Sequence, residues 1–548
     1  MTPKQHLPAS ISIEARSQTL RELQEGTFDL LVIGGGINGA GIARDASMRG
    51  LRVALVEKGD FASGTSSKSS KLIHGGVRYL QQRDFRLVRV ACRERDLLRR
   101  RLAPHLVQPL PFLFPVYRGD PVGIVTLGLG MWVYDLLAAF RNIRAHRMLT
   151  AKSTLGMEPG LRGDGLKGAA LYYDCFTDDA RLTLETILAA RSEGAVAANY
   201  IELTAFTKEN GRIAGAWIQD RLSGADIQVR ARRVVNATGP WADQLRRLDD
   251  TSAPPCLRVT KGVHIIVPKD RIGNTHAVVL HSPRDQRVLF VIPWDTHAII
   301  GTTDTDFDGS PDDVRADERD IEYLLEAANW FFPRAGLRAD DVVSTYAGLR
   351  PLVASGEGKD PSAVSREEAI FESPSGLVTL AGGKLTTYRL VAEKIVDMVA
   401  KDSVVSGKRV CTTGEKPLPG GRFQRTGDLV QALLAKDGEL TKLQIEHLVH
   451  RYGSRAAEIL ALLQGRKEWS QMLVPGMPDI WAEAVYAAQT ELAVVPDDIV
   501  TRRTHVALKA PEMAAQIAEK IEENLGVAVQ PPAVSCASWG RTREPGAA

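Results

Sequence analysis

The chain has 548 residues, of which 44% are hydrophobic and 25% charged, a length beyond what one hydrophobic core organises and a composition typical of globular proteins. These values exclude a disordered, collagen-like or disulfide-scaffold protein. Lysines and arginines number 69 against 66 acids, a net charge of +3, too nearly balanced for the whole-protein field to imply a nucleic-acid partner.

Residues 1–27 carry Lys4, Glu14, Arg16, Arg21, Glu22 and Glu25 without an apolar core of the secretory type, so they read as a helical or frayed extension with no signal. Cys92, Cys175, Cys256, Cys411 and Cys536 are odd in number and widely spaced, which fits a reducing, cytoplasmic setting. The apolar run Phe28 to Ile33 (FDLLVI) predicts a strand. It leads into Gly34-Gly35-Gly36-Ile37-Asn38-Gly39, a helix over Ala40 to Arg49, and a second strand over Leu51 to Val56 that closes at Glu57. This is a β-α-β unit carrying G-x-G-x-x-G in the required context. Gly34 permits the turn, Gly36 lets backbone approach a pyrophosphate, and Gly39 allows close helix packing, while Glu57 is placed to accept from a ribose diol.

From Arg83 to Arg101 eight arginines stand against three acids, with Phe85, Val88, Cys92 and Leu97 or Leu98 on one helical face; a solvated helix is the ordinary reading of such a run. Val122 to Phe140 is 19 residues long with one charge, Asp135, and lies between Arg118 and the trio Arg141, Arg144 and Arg147. It is long enough to span a bilayer, but three glycines and the central Asp weaken that reading. A buried helix and an interfacial apolar patch stand beside it, the latter helped by the neighbouring arginines.

Strand-like segments at Ala214 to Ile218, Val263 to Val267, Val288 to Ile292 and Ala298 to Ile300 predict an α+β middle layer. Asp174, Asp178 and Asp179 have no histidine with them and read as helix caps rather than a metal site, and Asp304 and Asp306 read as turn formers. Val234 to Ala242 (VVNATGPWA) and Leu380 to Thr387 (LAGGKLTT) each pair a strand with small residues. Gly239, Gly382 and Gly383 would let backbone approach a flat ligand, with a helix after Thr386 directed at a flavin; an ordinary strand-to-helix turn explains either stretch alone. After the linker Glu415 to Arg422, helical spacing recurs at Thr426 to Leu434, Lys442 to Tyr452, Ala456 to Leu463, Ile480 to Glu491 and Pro511 to Leu525. The expected organisation is an extension at 1–27, FAD-binding segments at about 28–100, 170–245 and 340–400, cap segments at about 101–170 and 246–340, an all-α domain at 416–527, and a loose tail at 528–548.

The motifs TSSKSSKLIHGGVRYL (65–80), YYDCFTDDARL (172–182), NATGPWA, KGVHIIVP (261–268), FVIPW, IIGTTDTDF, YAGLRPL (346–352) and AGGKLTTYR (381–389) follow the glycine turn in order. In this series the chain resembles the FAD-dependent glycerol-3-phosphate dehydrogenases over residues 28–400, and more loosely beyond. The resemblance implies a Rossmann-like FAD-binding domain, an α+β substrate domain of the glycine and D-amino-acid oxidase type, and an all-α C-terminal domain. It implies oxidation of sn-glycerol 3-phosphate to dihydroxyacetone phosphate, with electrons passed to a quinone at the inner face of the cell membrane. A peripheral membrane contact and a homo-oligomer are compatible with it, and no metal is expected.

Among site residues, the resemblance implies that Arg78 and Arg350 hold the phosphate, which bidentate donors suit. His264 is the favoured base, with His74 the second choice, since a group titrating near neutral pH suits alcohol oxidation. Lys384 and Tyr79 complete the catalytic set. Gly34, Gly36, Asn38, Gly39, Glu57, Thr65, Ser66, Ser70, Gly239, Gly383, Lys384, Leu385 and Thr386 are the implied cofactor contacts. Two rivals share the fold: an amine or amino-acid oxidase, in which an arginine would hold a carboxylate, and a flavin-binding protein without turnover.

Overall fold

The computed structural model describes residues 10–77, 80, 84–139, 141–354, 368–401, 410–436 and 438–525. Arg78, Tyr79, Phe140 and the tail at 528–548 lie outside the described residues.

Strand Thr27–Ile33 is the centre of the first sheet. It pairs in parallel with Val53–Val56 on one side and with Asp226–Asn236 on the other. Val196–Ala198 and Leu377–Ala381 extend the parallel set outward. A strand buried on both faces must be apolar throughout, and Leu30, Leu31 and Val32 are fully buried. Leu30 and Val32 pack under helices Ile37–Met48, Asp179–Ser192 and Tyr388–Ala400 through Ala40, Ala43, Ile187 and Ile395. Leu31 and Ile33 face the other way, toward Ile201, Ile218 and Leu23. Leu23 belongs to helix Ser10–Glu25, so the N-terminal extension is a packed helix, held also by Arg16 on Asp220 at 2.6 Å.

Among the described residues the second sheet has ten strands, with Leu257–Pro268 between His297–Gly301 and Ser344–Val353. Its far side is the long antiparallel pair Gln108–Tyr117 and Leu166–Phe176. Strands Leu166–Phe176 and Ser344–Val353 therefore run in this sheet, although the sequence boundaries put residues 170–176 and 344–353 in the FAD segments. Both are buried along most of their length, and nothing local shows which distant strand they pair with. Val263, Ile265 and Val267 turn into a core with Leu324 and Phe331 of helix Glu318–Phe331. Thr260, Gly262 and His264 take the opposite face, in register with Arg350, Gly348 and Tyr346.

The arginine-rich and apolar segments are both helical. Helix Phe85–Leu97 buries Val88, Ala91 and Cys92 and exposes Phe85. Its Arg95 is not a solvated residue: it is fully buried and hydrogen-bonds Asp174, which also accepts from Tyr134 at 3.0 Å and from Gly75 N at 3.0 Å. Asp178 does cap helix Asp179–Ser192, accepting from Arg181 N at 3.0 Å. The apolar run after Val122 forms helix Ile124–Leu137, 14 residues long, and no helix among the described residues is long and apolar enough to cross a membrane. It buries Leu127, Met131 and Tyr134 and leaves Val125 74%, Leu129 64%, Trp132 62% and Leu136 62% exposed. Asp135 is buried under it and accepts from Asn142 at 2.6 Å.

The C-terminal region is helical, with helices Thr426–Leu434, Lys442–Tyr452, Ala456–Leu462, Trp481–Thr490 and Pro511–Leu525. Buried ion pairs fix it to the loop after strand Val53–Val56 and to helix Asp179–Ser192. Asp60 meets Arg502 at 2.5 Å and Arg503 at 2.6 Å, and Arg181 binds Glu491.

Candidate active site

The glycine turn has the geometry that its spacing predicts. Gly34 has φ +109°, a conformation that side chains disfavour. A Cβ on Gly39 would lie 1.9 Å from the Gly34 carbonyl oxygen, so the helix sits directly on the turn. Gly36 caps helix Ile37–Met48 in extended conformation and brings no capping side chain of its own, so beyond Ile37 N the first-turn N–H groups can serve an anion. Ser66 Oγ accepts from Ile37 N at 2.9 Å, and Thr65 Oγ1 donates to Leu349 O at 2.6 Å. Glu57 accepts from Gly35 N at 2.7 Å and from Gly59 N at 2.9 Å; burial pushes its carboxyl up, partly offset by these two bonds.

The second predicted contact stretch closes on the first. Asn38 Nδ2 donates to Gly382 O at 3.5 Å, and a Cβ on Gly383 would lie 2.6 Å from Asn38 Nδ2. Asn38 Oδ1 is buried with no hydrogen-bond partner among the described residues, an acceptor that a bound group would satisfy. Thr386 Oγ1 accepts from His74 N at 3.3 Å, and helix Tyr388–Ala400 begins just beyond. Gly239, at φ +57°, lies just after strand Asp226–Asn236 in the same sheet. The donors and close-approach glycines at 34–39, 65–66 and 382–387 fit a flavin dinucleotide.

Between these turns and the second sheet lies a cavity of about 310 Å3 whose walls include Ser70, His74, His264, Arg350, Lys384 and Thr386. His264 is buried, stacks on Tyr346 at 4.7 Å, and its Nε2 lies 2.8 Å from Ser70 Oγ. A Cβ on Gly301 would fall 2.2 Å from the His264 ring, so glycine is required opposite it. Burial, and then the positive charges of Arg350 and Lys71, hold the imidazole well below its ordinary pKa, so it is neutral. Arg350 is fixed by Asp304 Oδ1 at 3.0 Å, Thr302 Oγ1 at 2.9 Å and Thr303 O at 3.0 Å. A Cβ on Gly262 would meet its guanidinium at 2.4 Å.

Asp304 is therefore the carboxylate partner of Arg350 rather than a simple turn former, and Asp306 pairs with Arg258 at 2.7 Å. Arg78 and Tyr79 lie outside the described residues. Sequence reading missed Lys71, Asp179, Tyr346 and Arg287. Lys71 Nζ reaches Asp179 at 2.5 Å in full burial. Arg287 lines the cavity and donates to Asp304 O. Lys71, Asp179 and Tyr346 had a usable signal, their places within the SSKLIHGG, YYDCFTDDARL and YAGLRPL stretches, whereas Arg287 had none. One group of metal-ligand types occurs among the described residues, His447, Asp479 and Glu483. Arg451 already lies within it, 2.5 Å from Asp479 and 3.2 Å from Glu483.

A model of the FAD dependent oxidoreductase family matches residues 29–398, and a model described as the C-terminal domain of alpha-glycerophosphate oxidase matches 411–529. The aerobic glycerol-3-phosphate dehydrogenase of Staphylococcus saprophyticus is 39% identical over 505 residues, 90% of each chain. The crystal structure of the glycerol-3-phosphate dehydrogenase from Bacillus halodurans in complex with FAD superposes with a TM-score of 0.78 at 34% identity, covering 94% of this chain and 95% of that one. Glycine oxidase from Geobacillus kaustophilus shares the fold, with a TM-score of 0.52 at 21% identity over 70% of this chain and 96% of its own. The chain thus belongs to the FAD dependent oxidoreductases and, within them, to the family of the aerobic glycerol-3-phosphate dehydrogenases.

Proposed function

We propose that this enzyme oxidises sn-glycerol 3-phosphate to dihydroxyacetone phosphate. The observation that carries the reading is the cavity that groups a fixed arginine, a neutral histidine and Lys384 beside the 382–387 turn. The flavin, when bound, supplies the acceptor for the C2 hydride at its N5. Arg350 presents its guanidinium to the phosphate, held in place by Asp304 and Thr302, and Arg78 joins it by resemblance. His264 takes the hydroxyl proton, for which its neutral state prepares it, with His74 the alternative. Lys384 steadies the charge that develops on the substrate oxygen, and Tyr79 completes the wall by resemblance. Gly34, Gly36, Asn38, Gly39, Glu57, Thr65, Ser66, Gly239, Gly383, Leu385 and Thr386 hold the cofactor, with Glu57 on a ribose diol.

Electrons pass on to a membrane quinone. The exposed side chains Val125, Leu129, Trp132 and Leu136 of helix Ile124–Leu137, with exposed Arg118, Arg141, Arg144 and Arg147 around them, support contact with an anionic bilayer surface. Anaerobic mixing of the yellow holoenzyme with sn-glycerol 3-phosphate tests the substrate: the flavin band is expected to bleach and dihydroxyacetone phosphate to form in equal amount. Bleaching by glycine or another amine instead would move the enzyme to the oxidases that share its fold. Cosedimentation with vesicles of anionic lipid, lost in the Trp132→Glu variant, tests the membrane contact.

A further inference from the structure

We infer that the Ser70 hydroxyl stands between the substrate alcohol and His264 and relays the proton to its Nε2. This rests on the reading of His264 as the base. The resemblance put Ser70 among the cofactor contacts; its surroundings assign it to the substrate instead.

The imidazole is closed in on several sides. Leu257–Pro268 lies between two strands that pair His264 with Gly301 and with Tyr346. The Gly301 backbone covers one edge of the ring, and the Tyr346 ring covers a face at an interplanar angle of 14°. Nδ1 is buried and meets no hydrogen-bond partner among the described residues. Nε2 meets Ser70 Oγ at 2.8 Å. Ser70 and His264 both line the cavity, Ser70 half-buried and His264 only 3% exposed. With Nδ1 buried and Nε2 held by Ser70 Oγ, the hydrogen-bonded route from the cavity to a ring nitrogen runs through the Ser70 hydroxyl.

Both neighbours of Ser70 are anchored. Ser69 donates to Asp179 Oδ2 from its N at 3.1 Å and from its Oγ at 2.7 Å, and its carbonyl accepts from Tyr346 OH at 2.9 Å. Lys71 has φ +57°, binds Asp179 Oδ1 at 2.5 Å, and donates its backbone N–H to Ser69 Oγ at 3.0 Å. Asp179 is itself fully buried at the start of helix Asp179–Ser192. The loop is therefore fixed on both sides of Ser70, as a relay requires.

The step balances as follows. The C2–H bond breaks with its electron pair going to the flavin as hydride, and the C2–O bond becomes a carbonyl. The substrate hydroxyl proton passes to Ser70 Oγ while the proton of Ser70 passes to Nε2, which makes His264 an imidazolium. Nε2 must be the unprotonated nitrogen beforehand, with Ser70 donating to it. Arg350 and Lys71 are the charged groups that bear on His264. A phosphate dianion on Arg350 offsets one of those charges, so substrate binding strengthens the base it is about to use.

The test compares Ser70→Ala, Ser70→Thr and His264→Gln holoenzymes in anaerobic single-turnover reduction by sn-glycerol 3-phosphate, with flavin content and substrate Kd measured for each. Ser70→Ala is expected to keep its FAD, bind substrate within about 3-fold of wild type, and bleach about 100-fold more slowly, the lower end of what general acid-base catalysis supplies. Ser70→Thr, which keeps the hydroxyl, is expected to recover most of the rate. Wild-type bleaching by Ser70→Ala with a slow His264→Gln would overturn the relay alone. Wild-type bleaching by His264→Gln as well would overturn the base on which it rests. Loss of FAD from Ser70→Ala would return Ser70 to the cofactor, and a Ser70→Thr as slow as Ser70→Ala would show that the hydroxyl is not what matters.

Discussion

In the dinucleotide crevice Gly34, Gly36 and Gly39 come from one turn and the helix that follows it, and what they offer a ligand is backbone. In the neighbouring cavity His264, Arg350 and Asp304 come from separate strands and a connecting loop. What these residues offer is side-chain charge and basicity, set by partners more than 30 positions away. A backbone site tolerates changes of side-chain chemistry but no added volume; a side-chain site tolerates volume in places but no change of charge.

The largest effect is expected where added volume meets backbone. Gly39→Ala would put a methyl 1.9 Å from the Gly34 oxygen, and overpacking of this kind costs about 1–3 kcal/mol or more. The purified variant is expected to carry much less flavin, read from absorbance per protein. A full complement of flavin would separate the packing of the turn from binding.

In the cavity, Arg350→Ala removes charge-assisted bonds worth about 1.5–3 kcal/mol. KM for sn-glycerol 3-phosphate is expected to rise about 10- to 100-fold with flavin content unchanged. Asp304→Asn should do less, because Thr302 and Thr303 still hold the guanidinium. A rise of about 3- to 10-fold in KM is expected there, and a change in kcat alone would break the positioning assigned to Asp304.

The two regions also respond to pH with opposite sign. Burial pushes Glu57 above its ordinary pKa of 4.5, so above that value the unfolded chain gives up its proton more readily than the native one. Glu57 therefore lowers stability as pH rises through its native pKa. Burial and two cations hold His264 well below 6.5. From 6.5 downward the unfolded chain takes up the proton that native His264 refuses, so stability falls as pH drops. Melting curves of Glu57→Gln and His264→Asn against wild type are expected to flatten opposite limbs of the profile; flattening of the same limb would contradict one of the two assignments.

The contrast also explains what could be read from the sequence. The β-α-β unit, the glycine turn and helix Tyr388–Ala400 are local, so strand alternation, glycine spacing and helix periodicity mark them directly. The pairing of Ser344–Val353 with Leu257–Pro268 is nonlocal, so no spacing within either segment marks it. Arg350 was recognisable within YAGLRPL. Its dependence on Asp304 was not, because an Asp in a Gly-Thr-Thr-Asp stretch has the same composition as any turn. Arg95 looked like one arginine in a solvated run until Asp174 was found beneath it. Helix Ile124–Leu137 read as either buried or interfacial, and in the fold it has one face in the core and the other in solvent.

The central claim is that a fixed arginine selects a phosphorylated alcohol for a flavin. It is tested most directly by kcat/KM for sn-glycerol 3-phosphate relative to glycerol, in wild type and in Arg350→Ala. A large ratio that collapses in the variant, through loss of activity on the phosphorylated substrate alone, is the expected result. A ratio unchanged by the substitution would contradict the claim.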